Sequence, residues 1–236
     1  MSLLLIIILS LTLLGCGKQL LTEAPYLRLK GVSLSPKSTR SADLTDFFTK
    51  ASQAGGLVSW SGDWIELCGT AETAPYVVAD LAPSYKYLPL IECQFFSPST
   101  GQLLRPLDDA TKQLYIASAE SFAAKYRPDY LAFGIEVNIL YESATAEFEG
   151  FVQLFSQVYD AVKAKSPTTK VFTIFQLEKM KGLNGGLYGG TNDATTNQWG
   201  LLDRFPKSDL AAFTTYPGPI YQTPADIPAD YYTAIK

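Results

Sequence analysis

The clearest candidate for proton-transfer chemistry is Glu136, which interrupts the apolar run Ala132-Phe133-Gly134-Ile135-Glu136-Val137-Asn138. A period of two puts Ala132, Gly134, Glu136 and Asn138 on one face of a strand and Phe133, Ile135 and Val137 on the other. Burying a carboxyl and an amide there is costly unless they are partnered or used. Small Ala132 and Gly134 leave room around Glu136, and a carboxyl desolvated in such a pocket titrates upward, as a general acid near neutral pH requires. The structural alternative is an interior carboxylate satisfied by a neighbouring lysine or amide. Aromatic faces suit the C–H faces of a sugar, and carboxylates and amides suit its hydroxyls. Trp60, Trp64 and Tyr216 are therefore expected as stacking platforms, and Asp63, Glu92, Gln94, Asn138 and Gln176 as hydroxyl partners. Against this, tryptophans at strand ends can plug a barrel mouth, and Glu92 or Gln176 can belong to an interior polar network. Glu178 is expected to be a solvated loop residue, and Lys86, Lys112, Lys125, Lys163 and Lys165 ordinary helix-surface charges.

Composition removes competing chemistries. The sequence has no histidine, so a Ser-His-Asp triad, a Cys-His pair, His-ligated zinc and two-His-one-carboxylate iron are excluded. Three cysteines cannot build a four-cysteine metal site or a dense disulfide scaffold. No metal and no cofactor are expected, which leaves carboxylate, Lys, Tyr or Cys chemistry. Fourteen tyrosines and three tryptophans supply flat amphipathic surface. A net charge of −4 argues against a nucleic-acid partner, whose affinity rests on phosphate neutralisation by a basic face. With 47% hydrophobic and 18% charged residues over 236 positions, the chain is globular and long enough to bury a core.

The elements that must position these residues alternate. Strands are expected at Gly31–Lys37, Leu57–Trp64, Tyr87–Ser97, Tyr130–Leu140, Lys170–Leu177 and Leu210–Pro217. Helices are expected at Ser41–Ala54, Ala74–Tyr85, Asp108–Tyr126, Ala146–Lys165, Gln198–Phe205 and Pro228–Lys236. The fourth helix carries Phe148, Phe151, Val152, Phe155, Val158, Tyr159 and Val162 near a 3.6-residue period. Such alternation predicts an α/β fold with a parallel sheet covered on both faces. A closed (β/α)8 TIM barrel takes about 250 residues, so the expectation is an incomplete barrel of about six βα units with strands seven and eight missing. An open doubly wound sheet is the competing architecture, but Ser35-Pro36-Lys37-Ser38 in the first βα turn offers no glycine-rich phosphate cradle. Functional groups of such barrels sit at the C-terminal strand ends. The Gly/Asn/Thr-rich stretch from Gly182 to Asn197 falls at that edge, as an active-site loop or a surface insertion.

The alternating units, the Gly-Ile-Glu-Val-Asn strand, the Trp-rich end of the second strand and Thr214-Thr215-Tyr216-Pro217 together resemble the clan A retaining glycoside hydrolases. The similarity is greatest to the arabinogalactan endo-β-1,4-galactanase family and its uncharacterised lipoprotein relatives, and it covers residues 31 to 236. It implies that Glu136 is the acid/base of a retaining two-carboxylate mechanism. The nucleophile would be a second Glu at the end of strand seven, which this chain lacks, so a full-length protein is expected to be a glycosidase and the fragment inactive. Ile135 stands where the family has the Asn that touches the sugar 2-hydroxyl. The partner implied is a β-linked polysaccharide or oligosaccharide. The alternative is a non-catalytic carbohydrate-binding lipoprotein on the same scaffold. A Schiff-base barrel would want a lysine inside a strand, whereas Lys37 and Lys179 lie at strand ends.

Residues 3 to 14 form a twelve-residue apolar run followed by Gly15-Cys16-Gly17. A membrane span needs about 20 residues, so the run is read as a signal-peptide core, with Leu13-Leu14-Gly15-Cys16 resembling a lipobox. The expected organisation is a signal peptide over 1–16, a tether over 17–29 and one barrel domain over 30–236. The protein would be exported, held at a membrane through lipid on Cys16, and monomeric. Cys68 and Cys93 then remain as either a disulfide or two free thiols.

Overall fold

The computed structural model describes residues 29–69, 73–185 and 190–233. Strands and helices alternate as β1 (Gly31–Ser33), α1 (Ser41–Ala54), β2 (Leu57–Asp63), α2 (Ala74–Tyr85), β3 (Leu88–Gln94), α3 (Asp109–Tyr126), β4 (Tyr130–Phe133), α4 (Val137–Ser143), α5 (Thr145–Lys165), β5 (Lys170–Phe172), β6 (Ile174–Gln176), α6 (Leu177–Met180) and β7 (Ala212–Thr214). Short 3₁₀ turns cover Trp64–Cys68, Ala194–Thr196, Trp199–Arg204 and Pro224–Asp226. Strands β1 to β5 lie side by side in sequence order, all parallel, and β6 pairs in parallel with β7.

A single residue, Thr173, separates β5 from β6, so the two are halves of one bent strand. Its first half pairs with β4 and its second with β7. The bend is held by Gly134 O, which accepts both Ile174 N at 3.0 Å and the Thr173 hydroxyl at 3.1 Å. Counting the bent strand once, six strand positions follow one another in parallel, each of the first five trailed by helix. This is the α/β, incomplete-barrel architecture expected from the alternation.

Period-two alternation sorts the strand residues into two layers. Val58, Trp60, Ile91, Cys93, Leu131, Phe133 and Val171 face the helices and join Phe148, Phe151, Phe155, Val158 and Val162 of α5 in the main core. Phe95 stacks on Phe151 at 4.1 Å between ring centroids. The opposite, inner face holds a smaller cluster of Ala132, Ile135, Phe172 and Ile174, with Leu90, Tyr130 and Ala212 against it.

Several element boundaries differ from expectation. The strand expected over Tyr130–Leu140 stops at Phe133, where Gly134 takes φ +81° and Glu136 φ +59°. These left-handed residues turn the chain directly into α4. A Cβ at position 134 would lie 2.6 Å from Val137 Cγ1 and 2.8 Å from Phe151 Cζ, so the turn requires glycine for space as well as for conformation. The stretch Gln198–Phe205 forms a 3₁₀ turn over Trp199–Arg204. Pro228 to Thr233 make turns rather than a helix, and residues 234–236 lie outside the described set. Cys68, exposed, and Cys93, buried on the helix-facing side, are both free thiols, so the disulfide is not formed. Among the described residues no helix is long and apolar enough to cross a membrane.

Candidate active site

Glu136 sits where β4 gives way to α4, at the C-terminal edge of the sheet. Gln94, the last residue of β3, fixes the turn before it. Its Nε2 donates to Ile135 O at 2.9 Å, and its Oε1 accepts Ile135 N at 3.3 Å and Phe95 N at 3.0 Å. A left-handed non-glycine residue costs about 1–3 kcal/mol and persists where its surroundings over-determine it. Here the surroundings are the Gln94 clamp, the glycine turn and a carboxylate that is itself held. Glu136 is buried, with 6% relative exposure. Its Oε1 accepts the Thr214 hydroxyl at 2.6 Å, and its carboxylate is hydrogen-bonded to the Tyr216 side chain. Burial, reinforced by the charge of Glu136, pushes the Tyr216 phenol up to about 12.

Glu136 and Tyr216 open onto a cavity of about 660 Å³, a size within the usual range of small-ligand sites. The loop of residues 98–101 after β3 forms one wall, Ile139, Glu142 and Ser143 of α4 another, and Lys179 of α6 a third. Lys179 Nζ donates to Glu142 Oε2 at 2.6 Å, and Gln198 Nε2 donates to Glu142 Oε1 at 2.6 Å. Both oxygens of Glu142 are therefore engaged, whereas Glu136 is held by hydroxyl donors. Such an arrangement can exchange a proton with a ligand in the cavity while orienting the carboxyl that does so.

Of the other residues expected to contact a ligand, most are placed elsewhere. Trp60 shares its face of β2 with Val58 and packs in the helix-side core, 5% exposed. Trp64 is 1% exposed and lies against Tyr115 at 4.5 Å. Neither is a stacking platform: each indole fills the space between sheet and helices, where burial of a large apolar ring is most favourable. Asp63 caps the turn after β2 through Ile65 N and grips Arg105 with two bonds of 2.7 and 2.8 Å. Asn138 belongs to α4 rather than to the strand face of Glu136. Fully buried, it accepts Gln176 N at 2.9 Å and donates to Gln176 O at 3.1 Å, closing the gap between β4 and β6. Gln176 is fully buried and its Oε1 accepts Lys179 N at 2.9 Å. Gln94 is the clamp already described. Glu92 lies on the inner face, level with Ser61 of β2 and Ala132 of β4, and burial alone pushes its carboxyl up to about 7.

Glu142, Lys179 and Glu178 were not expected at the site. Reading 130–140 as one strand hid the helical positions beyond Glu136, and the isolated Gly134 was the sequence signal of a bend there. Glu178, expected in solvent, is 1% exposed and receives hydrogen bonds from Thr215, Tyr216 and Tyr231. Cys16 lies outside the described residues. Among the described residues no three His, Cys, Asp or Glu side chains cluster as a metal site.

With this geometry in view, known structures give a match. The barrel has a counterpart in a glycosidase. The exo-β-1,4-mannosidase Op5Man5 from Opitutaceae bacterium strain TAV5 superposes with a TM-score of 0.53, at 11% identity, over 81% of this chain and 39% of that one. The chain thus spans about two fifths of that protein's length. An intracellular xylanase from Thermoanaerobacterium saccharolyticum, solved with xylotriose, gives a TM-score of 0.43 at 10% identity, over 78% of this chain and 62% of that one. At such identities the likeness shows the fold alone. The sequence matches no family model and no curated protein.

Proposed function

We propose that this chain belongs to a glycoside hydrolase acting on a β-linked polysaccharide by a retaining mechanism, with Glu136 as general acid/base. The observation that carries the proposal is the burial of Glu136 at the C-terminal end of a barrel strand, on the wall of a 660 Å³ cavity and held by Thr214 and Tyr216. Active sites of (β/α) barrels occupy that edge, and the mannosidase whose fold the chain shares supplies the substrate class. In the proposed reaction, protonated Glu136 gives its proton to the glycosidic oxygen as the bond to the anomeric carbon breaks. The resulting carboxylate then takes a proton from the water that releases the sugar. Retention needs a second carboxylate about 5–5.5 Å away as nucleophile. Glu142, the other carboxylate on the cavity wall, is committed to Lys179 and Gln198. In the clan A enzymes that the sequence resembles, the nucleophile is a Glu at the end of the seventh strand, and the proposal assigns it to the corresponding position.

The test measures reducing ends released from β-1,4-mannan, β-1,4-galactan and xylan by the longest natural form of the protein and by its Glu136→Gln variant. The expected result is turnover of one polymer, slowed on the order of 10²- to 10⁴-fold by the substitution. Undiminished turnover in the variant contradicts the assignment. The second reading, a carbohydrate-binding protein without turnover, is favoured by Ile135, whose apolar side chain takes the place of the Asn that contacts sugar in the clan A enzymes. It predicts binding of the same polymers with no release of ends by either form.

A further inference from the structure

We infer that Glu178 is a positioning residue that holds the Thr214-Thr215-Tyr216 segment against Glu136, an assignment that rests on the role proposed for Glu136. Glu178 is 1% exposed, a burial rare for a carboxylate, and the cation that acts on it electrostatically is Lys181. One of its oxygens, Oε1, accepts the Thr215 hydroxyl at 2.8 Å, Tyr216 N at 2.7 Å and the Tyr231 hydroxyl. The other, Oε2, is buried with no hydrogen-bond partner among the described residues. The hydrogen bonds to its carboxylate thus come from the end of β7 and from the turn that follows from Pro228.

Successive side chains at a strand end project to opposite sides, and here the two adjacent hydroxyls go to different carboxylates. Thr214 donates to Glu136, Thr215 to Glu178, while Tyr216 gives its backbone N–H to Glu178 and its side chain to Glu136. The segment is pinned between the two acids. One of the three donors on that oxygen is the backbone N–H of Tyr216 and a second is its neighbour Thr215, so Glu178 fixes the backbone from which the Tyr216 side chain, 43% exposed, lines the cavity. Tyr231 in turn is braced by Lys181, whose Nζ donates to Tyr231 O and lies 4.4 Å from its ring centroid. Displacement of Tyr216 would remove one of the two side chains that orient Glu136. Misplacement by about 1 Å costs on the order of 100-fold in rate.

Two substitutions separate positioning from charge. Glu178→Gln and Glu178→Ala both remove the negative charge, but Gln keeps an acceptor oxygen where Oε1 stands. The direct readout is the titration of the Tyr216 phenol, followed by NMR of ¹³Cζ-labelled tyrosine and assigned with Tyr216→Phe. It is independent of turnover, so it also stands if the protein proves to bind without cleaving. The expected result is a native phenol titrating near 12, a Gln variant lowered only by the small contribution of the lost Glu178 charge, and an Ala variant shifted further, toward about 10, the ordinary value. In parallel, kcat on the cleaved polymer is expected to fall on the order of 10- to 100-fold in the Ala variant with KM little changed, and to recover in the Gln variant. An unshifted phenol in folded Glu178→Ala, or equal shifts in Ala and Gln, overturns the inference. Should Glu178→Ala fail to fold by circular dichroism, Tyr231→Phe removes one of the three donors and is expected to shift Tyr216 in the same direction by a smaller amount. No shift in that variant is equally contrary.

Discussion

Side chains expected to work alike separate once their surroundings are drawn. Glu136, Glu92 and Glu178 are all withdrawn from water, but by different means. Glu136 is held by two hydroxyl-bearing residues at a cavity wall, Glu178 is locked by three donors, and Glu92 faces the inner layer with burial as the cause of its raised pKa. Glu92 therefore predicts a pH effect on stability. Its folded value of about 7 lies above the ordinary value of 4.5, so between those values the folded state holds more protons than the unfolded one. Stability attributable to this group is at its highest below about 4.5, falls as pH rises, and is fully lost above about 7, by at most about 3 kcal/mol. Glu92→Gln removes this dependence. In denaturant titrations the variant should match the native protein near pH 4.5 and exceed it at pH 8, and an equal difference at both values would contradict the assignment. The tryptophans show how much of this was legible. Trp60 has the parity of Val58, an apolar neighbour two positions away, so the pattern already placed it on the helix side.

At the scale of elements, the six strand positions were legible because strands buried on both faces read as short apolar runs. What alternation could not show is where a run stops being a strand. Residues 130–140 are apolar but for Glu136 and Asn138, whose period-two spacing suits one face of a strand, and a run of that length fits strand or buried helix equally. Gly134 and the left-handed Glu136 divide them into β4 and α4. The Thr173 break is hidden because one polar residue between Val171-Phe172 and Ile174-Phe175 leaves the run reading as a single strand across a change of partner. The glycine turn is thus the feature that presents Glu136. Gly134→Ala must hold a left-handed alanine with its Cβ under 3 Å from Val137 and Phe151. A loss of at least about 2 kcal/mol follows from strain and overpacking together. It would appear as a lower midpoint in denaturant unfolding, whereas an unchanged midpoint would show that the turn is not constrained as described.

Over the whole molecule, a parallel wall of strands backed by helices brings residues 41 to 80 positions apart into one site. Gln94 reaches Ile135, and Tyr216 and Thr214 reach Glu136. Sequence spacing alone cannot reveal such contacts, which is why the Glu178 cage was invisible while the strand-end carboxyl was not. The proposed placement at a membrane belongs to this scale as well. One acylated cysteine at position 16, joined to the barrel by a short tether, would hold the domain at a bilayer. Metabolic labelling with a clickable palmitate analogue should mark the native protein and not Cys16→Ala, and the variant should move to the soluble fraction. Equal labelling of both would remove the anchor from the account.

The central claim is that Glu136 delivers the proton to the leaving group. General acid help matters most when the leaving group is a poor one, so the decisive comparison is the native sugar chain against a 2,4-dinitrophenyl glycoside of the same sugar. Glu136→Gln should cut cleavage of the polymer on the order of 10²- to 10⁴-fold while the burst of dinitrophenol from the activated glycoside stays near the native rate. Equal loss on both substrates, or loss on neither, would contradict it.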